Sequence, residues 1–365
     1  MQVICSECGY LTKLSLEMWR CPACNGAWEP ALLPTFAVNN IVTSDYSIWR
    51  YGKFLGLDVM EPSLQMGVGW TPLITARFFG RNVHIKLDYL QPTGSFKDRG
   101  VNAMVNQLVA MGVRSMVEDS SGNAGASLAA HGARFGIPTK IFVPENTPEA
   151  KRQQISVYGA ELIIIPGTRS DTENTAQEEI RGDRTYASHA YHPAYLSGQL
   201  TAAFEVWEQL NKRVPNWIIC PVGQGGIFLG FYFGFLMLLK SGLIEYLPRM
   251  VAVQPTNVAP LYQAWQQGLN RVPEVLPSNQ TIATGAAIKK PVRGSRLLQA
   301  VMETSGFVIA VEETAILEAH KVLAQKGFFV ESTSALALAG FKKIAGEILD
   351  DDIVLLPLTG NGLKS

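Results

Sequence analysis

This sequence has no excess of either charge. Its 31 basic and 31 acidic residues cancel over 365 positions. That removes the electrostatic footprint nucleic acid, acidic lipid or a strongly charged partner would need. A long apolar run is missing as well. The longest, "GIFLGFYFGFLMLL" at 226–239, stops short of the roughly 18 residues that span a bilayer, and it reads as a buried or subunit-facing helix. The opening "MQVICSECGY" has no basic stretch and no apolar core, so no secretory leader is expected and the expected compartment is the cytosol. Repeats, low-complexity tracts and long linkers are lacking too. Any domain division must therefore come from interleaved segments.

What remains is a chain rich in core material. It is 47% hydrophobic and only 17% charged, and its length suits two domains with a small appendage. Of five cysteines, four form two C-x-x-C pairs: Cys5 with Cys8, and Cys21 with Cys24. Each pair leads into a turn, "CSECGY" and "CPACNG". In a reducing compartment such pairs point to a tetrahedral zinc site rather than disulfides. A ribbon that has lost its metal would keep the same spacing. Residues 1–30 carry Lys13 and Arg20 against Glu7, Glu17 and Glu29, which argues against phosphate binding by this ribbon. It is expected to be a small appendage with a structural metal, whose removal leaves ligand binding elsewhere intact. Cys220, in the apolar "NWIICPVG", reads as an inert core residue.

From residue 75 onward, short apolar runs alternate with amphipathic helical patterns. Strands are expected at Val83–Leu87, Ser115–Glu118, Thr139–Val143, Leu162–Ile165, Trp217–Cys220, Met250–Val253, Phe307–Val311 and Ile353–Leu356, with helices such as Ala124–Phe135 and Thr314–Gln325 among them. This alternation predicts an α/β fold with open, mainly parallel sheets.

"PTGSFKDRG", residues 92–100, places Lys97 behind turn and cap chemistry and ahead of Val101, Met104, Val105, Leu108 and Val109 at helical spacing. Lys97 is thus expected in the first turn of a helix, where the helix dipole disfavours a second positive charge. An amine that must be neutral to attack a carbonyl gains from that place. An ordinary capped helix with a surface lysine would read the same on this stretch alone.

Three Gly-rich loops follow strand candidates: Ser120-Ser121-Gly122-Asn123, Gly223-Gln224-Gly225-Gly226 and Thr359-Gly360-Asn361-Gly362. Ligands of open α/β sheets bind at the carboxyl ends of strands. The loop at 223–226 feeds straight into a helix, as an anion cup does. It has neither the Lys-Ser/Thr pair of a nucleotide loop nor the G-x-G-x-x-G pattern, so a nicotinamide cofactor is the poorer reading.

Together these pieces resemble the threonine synthase family of fold-type II pyridoxal-phosphate enzymes. The likeness runs through the cysteine ribbon, "SIWRYGKFL", "GWTPLI", "PTGSFKDRG", "SSGNAGAS", "TIATGAAIKKP", "VESTSALALAGF" and "LTGNGLKS", in that order. The resemblance implies two interleaved α/β domains beside the ribbon: a large one over 31–104 and 197–365, and a smaller one over 105–196. It implies pyridoxal 5'-phosphate linked to Lys97, with Asn123 at the ring hydroxyl. Backbone N–H groups of Gly223, Gln224, Gly225, Gly226 and Ile227 would hold the cofactor phosphate, and Thr359 would face the pyridine nitrogen. Structural Zn²⁺ on Cys5, Cys8, Cys21 and Cys24, a small amino-acid substrate and a homodimer complete the expectation. The implied reaction converts O-phospho-L-homoserine and water to L-threonine and phosphate. Asp98 and Arg99 read as groups that pair with neighbours and hold the helix.

The segment that should grip the substrate's phosphate departs from the family pattern. A Thr is replaced by Ala124. In "HAYHPAYLSGQLT" an Asn falls on His189, a Ser on Ala190 and an Arg on Tyr195. Ser120, Ser121, His189 and His192 are the remaining substrate candidates, with Arg184 or Lys290 as further cations; the two histidines would equally suit a loop surface. "VGQGGIFLG" is closer to serine/threonine dehydratases. A dehydratase or β-replacement enzyme is therefore the alternative, and a binding protein on a disused scaffold is a third that intact Lys97, Asn123 and Thr359 disfavour.

Overall fold

The computed structural model describes residues 1–59, 65–120, 122–167, 169–180 and 182–364. The chain groups into two units. One comprises Met1–Gly69, Gln91–Gln199 and the C-terminal Lys364–Ser365; the other comprises Trp70–Leu90 and Leu200–Leu363. The expected boundaries differ from this grouping. Residues 31–69 and 91–104, expected with 197–365, belong to the first unit, because the helix Lys97–Ala110 packs Val101, Met104 and Leu108 into the same core as Leu128, Ile141 and Val143.

The first unit holds a four-stranded sheet in the order Glu161–Ile165, Thr139–Pro144, Ser115–Glu118, Arg184–Tyr186, parallel throughout. Helices Asn123–Phe135 and Glu149–Val157 supply the crossovers that parallel pairing requires. Every expected strand is present with ends shifted by at most two residues, but Arg184–Tyr186 was not foreseen. Three residues leave too little alternation to register as a period.

The ribbon is a three-stranded antiparallel sheet, Leu11–Lys13 beside Gln2–Cys5 beside Trp28–Pro30. Its inner face is buried within the first unit. Val3, Cys5, Leu14, Cys21 and Trp28 share one buried cluster with Val101, Met104 and Leu108. The Trp28 backbone N–H also donates to Tyr191 O at 3.2 Å.

The second unit carries a six-stranded sheet in the order Phe307–Val311, Arg249–Pro255, Trp217–Pro221, Val354–Pro357, Arg81–Lys86, Leu73–Phe78. All neighbours are parallel except the last pair. The edge strand Leu73–Phe78 was not foreseen; only Phe78 in it is buried, so it shows no strong apolar signal. The helix Ser332–Ile344 buries Leu336, Leu338 and Phe341 in the core formed with Ile219, Val251, Val253 and Leu356. The helix Gly226–Lys240 is largely buried, as its composition requires. Among the described residues no helix is long and apolar enough to cross a membrane.

Part of the "GWTPLI" motif is fixed by a buried ion pair. Lys86 Nζ lies 2.7 Å from Glu205 Oε2, with both side chains excluded from solvent. Lys86 also donates to Thr71 O and Gln209 Oε1, and Glu205 Oε1 accepts from the Trp70 N–H. Every charge-bearing atom therefore meets an opposite partner or a hydrogen bond, the condition under which such a pair is tolerated.

Candidate active site

In the first unit, Lys97 is the first residue of its helix, as its sequence setting predicts. No side chain caps that helix. Instead Asp98 organises the preceding turn. Its Oδ2 accepts from the Thr93 N–H at 2.7 Å, and its Oδ1 accepts from the Thr93 hydroxyl at 2.6 Å and the Ser127 hydroxyl at 2.5 Å. Thr93 O in turn accepts from Lys364 Nζ and Gln154 Nε2. Gly94, at φ +82°, makes the bend between Thr93 and the helix. The half-buried Lys97 ammonium lies 4.5 Å from the centre of the Phe96 ring.

Asn123 opens the next helix, Asn123–Phe135, behind Gly122. Because Ser127 on that helix bonds Asp98, the N-terminal parts of the two helices are tied together. Ser120 is buried and its hydroxyl accepts from the Gly122 N–H. Ser121 lies outside the described residues. Ala124 is buried.

The strand end before Ser120 was not recognised as part of the site from sequence. Glu118, fully buried, accepts from the His189 backbone N–H at 3.2 Å, and its Oε1 lies 2.5 Å from His189 Nδ1. Asp119 accepts from the Tyr186 hydroxyl at 2.5 Å. Burial, with the Asp119 charge behind it, drives the Tyr186 phenol well above its ordinary range, so this hydroxyl keeps its proton. His189 and His192 thus sit on a turn fixed against Glu118 and Asp119 at the strand end, with the His192 N–H donating to Ser188 O. His192 is buried, which is not the loop surface that the plainer reading allowed. Tyr195 is buried, with its ring 5.9 Å from that of His189 and directly over Gly100, where a Cβ would come within 2.4 Å of it. Arg184, half exposed, pairs with Glu179.

In the second unit, Gly223–Gly226 joins the strand Trp217–Pro221 to the helix Gly226–Lys240. Gly225 caps that helix at φ +79°, with no side chain bonded to the first turn. The turn thus offers its first N–H groups to an anion, with Ile227 among them. A Cβ on Gly225 would stand 2.4 Å from Leu297 Cδ2, and one on Gly223 would stand 2.7 Å from Gly285 O. Gln224 Oε1 accepts from the N–H of Val292, the residue after "TIATGAAIKKP", and Gly285 within that motif lies against Gly223. Gly285 in turn donates to Thr333 Oγ1.

Thr359 is buried at the end of the strand Val354–Pro357. Ser334 fixes it: the Ser334 hydroxyl accepts from the N–H groups of Thr359 and Gly360 at 3.0 and 2.9 Å and lies 3.1 Å from Thr359 Oγ1. Ser334 lies inside "VESTSALALAGF", so the motif signalled it, although no separate role was read from it.

Each unit separately carries groups that suit pyridoxal phosphate: the first an amine at a helix start and an amide at the next, the second a side-chain-bare glycine cup and a neutral hydroxyl held by a second hydroxyl. The glycine cup is the discriminating part, since a side chain at Gly225 would need a left-handed backbone and would collide with Leu297. No carboxylate occupies the place of Thr359, so a pyridine nitrogen there would not be held protonated.

The four ribbon sulfurs lie within 4.8 Å of one another; Cys5 Sγ is 3.4 Å from Cys24 Sγ, and Cys8 Sγ is 3.6 Å from Cys21 Sγ. Tetrahedral zinc with Zn–S near 2.3 Å spaces its sulfurs by about 3.8 Å, so the cluster is compatible with that ion. Burial pushes the Cys5 thiol up to about 12, while the Tyr10 backbone N–H draws Cys8 down to about 7. Cys220 is buried, and burial raises its thiol further, consistent with an inert residue.

Comparison with known proteins agrees with this geometry. Residues 64–360 match the family described as pyridoxal-phosphate-dependent enzymes. The chain is 32% identical to a threonine synthase of Methanocaldococcus jannaschii, over 99% of this chain and 92% of that one. It is 30% identical to a threonine synthase of Methanosarcina acetivorans, over 99% and 91%. Among solved structures, a fungal L-serine ammonia-lyase from Rhizomucor miehei superposes with a TM-score of 0.70 at 26% identity, covering 80% of this chain and 93% of that one. The lysine-bearing helix start, the bare glycine cup and these full-length likenesses agree: the chain belongs to the family of pyridoxal-phosphate-dependent enzymes, alongside the threonine synthases.

Proposed function

We propose that this protein is a threonine synthase, converting O-phospho-L-homoserine and water to L-threonine and phosphate. One observation carries the reading. The likeness to the threonine synthases covers 99% of the chain and therefore takes in the ribbon, whereas the ammonia-lyase covers 80%.

Pyridoxal phosphate, when bound, withdraws electrons from the substrate's Cα. Lys97 holds the cofactor and, once substrate enters, moves the proton at Cα and along the side chain. Asn123 donates to the ring hydroxyl. The N–H groups of Gly223, Gln224, Gly225, Gly226 and Ile227 hold the cofactor phosphate. Thr359 contributes a neutral hydroxyl at the pyridine nitrogen, which favours elimination over transamination. Ser120, Ser121, His189 and His192 receive the substrate, with Glu118 orienting the His189 ring. Zn²⁺ on Cys5, Cys8, Cys21 and Cys24 is structural, since four cysteines leave no open position. A cytosolic homodimer completes the proposal.

A dehydratase or β-replacement enzyme is the second reading. It is favoured by Ala124 and Tyr195 at positions that should contact a substrate phosphate, both buried here without charge. The test is a panel of O-phosphohomoserine, threonine, serine and O-phosphoserine, scored for phosphate and 2-oxo acid. Phosphate and threonine from O-phosphohomoserine support the proposal. No phosphate, but 2-oxobutyrate from threonine, replaces it with the dehydratase. Borohydride should fix the cofactor to Lys97, and Lys97→Ala should abolish that label.

A further inference from the structure

We propose that Trp19, in the ribbon, is a positioning residue for the segment 186–192. The indole lies edge-on to two tyrosines of that segment, 5.0 Å from the ring of Tyr186 and 4.9 Å from that of Tyr191, at interplanar angles of 86° and 85°. Tyr186 precedes the turn that carries His189, and Tyr191 lies in it next to His192. Trp19 is two residues before Cys21, so the fold of the cysteine cluster sets its place.

The turn is held from two directions within the first unit. From the strand Ser115–Glu118, Glu118 binds His189 and Asp119 binds the Tyr186 hydroxyl. From the ribbon come Trp19 and the Trp28 N–H, which donates to Tyr191 O. The acidic groups hold the His189 ring and backbone N–H and the end of the Tyr186 side chain. The aromatic contacts add a second hold on the backbone between them, since edge-to-face ring pairs gain beyond their buried area. Arg20, over the Trp19 ring at 4.4 Å, packs against the same indole. A turn with these anchors removed joins the class of surface loops that open locally at little cost.

That this turn meets substrate rests on the function proposed above; the coupling of ribbon to turn does not. The experiment separates the two. Full-length, cofactor-loaded protein, Trp19→Ala and Trp19→Phe are compared by hydrogen exchange and steady-state kinetics. In Trp19→Ala, amides of 186–192 should exchange about tenfold faster or more, with the helices Lys97–Ala110 and Gly226–Lys240 unchanged. KM for O-phosphohomoserine should rise by a similar factor, with kcat and cofactor absorbance retained, and Trp19→Phe should restore most of both. Exchange of 186–192 that stays at the wild-type rate, or that rises equally throughout the chain, overturns the proposal. If exchange loosens locally but KM is unmoved, Trp19 keeps its positioning role and the substrate reading of the turn falls. Should Trp19→Ala not fold, Tyr191→Leu, which removes one ring from the other side, is judged by the same exchange criterion.

Discussion

Asp98 has no idle carboxylate oxygen. Both accept hydrogen bonds in the buried turn ahead of Lys97, from the Thr93 N–H, the Thr93 hydroxyl and the Ser127 hydroxyl. Asp98→Ala would strand three buried donors, each costing about 1–3 kcal/mol. Urea titration should therefore show a loss of at least about 3 kcal/mol, and Asp98→Asn, which keeps one acceptor, a smaller loss. His131 lies behind the same network, donating from Nδ1 to Ser127 O at 2.8 Å. Burial holds its pKa below the ordinary 6.5, against the weaker opposing pull of Asp98. The unfolded chain thus takes up this proton first as pH falls. Stability from His131 is complete above 6.5 and declines below it until the folded-state value is reached. Urea titrations on either side of that pH should show this acid slope, flattened in His131→Gln. Lys97 and Asn123 were legible because a turn followed by helical spacing is local information. Glu118 with His189, 71 residues apart, and Ser334 with Thr359, 25 apart, were not. Sequence separation hides such pairs until the sheets bring them together.

The glycine cup is a property of an element, a strand turning into a helix with its first N–H groups uncovered. Gly225→Ala must adopt a left-handed backbone at a cost of about 1–2 kcal/mol, and its Cβ must displace Leu297. Titration of the apoprotein with pyridoxal phosphate, followed by absorbance, should show affinity reduced about tenfold or more, together with a lower melting midpoint. Buried parallel strands were legible because they appear as short continuous apolar runs. In the two larger sheets the strands that escaped, Leu73–Phe78 and Arg184–Tyr186, are a half-exposed edge and a three-residue segment. Neither carries enough apolar pattern to announce itself.

Across the molecule, the least legible fact was the ribbon's burial. Spacing identified four cysteines but carried no sign that Val3 and Trp28 would complete the first unit's core. A chain lacking residues 1–30 should lose much of its soluble yield and melt at a lower temperature. Trp28→Ala alone should cost about 3–5 kcal/mol. A truncated chain with the full-length melting midpoint would show the ribbon to be an appendage after all.

The pairing of Arg81–Lys86 with Val354–Pro357 also imposes an order in time. As the chain leaves the ribosome, the first of these strands waits for roughly 270 further residues, about 15–50 s at ordinary rates of synthesis. Until then it has Leu73–Phe78 on one side and an unfilled place on the other, and Trp217–Pro221 waits for the same strand. The second unit's sheet is completed by one of its last segments to be made. A nascent chain stalled before that strand would expose two unpaired edges, the form in which chaperones should find it.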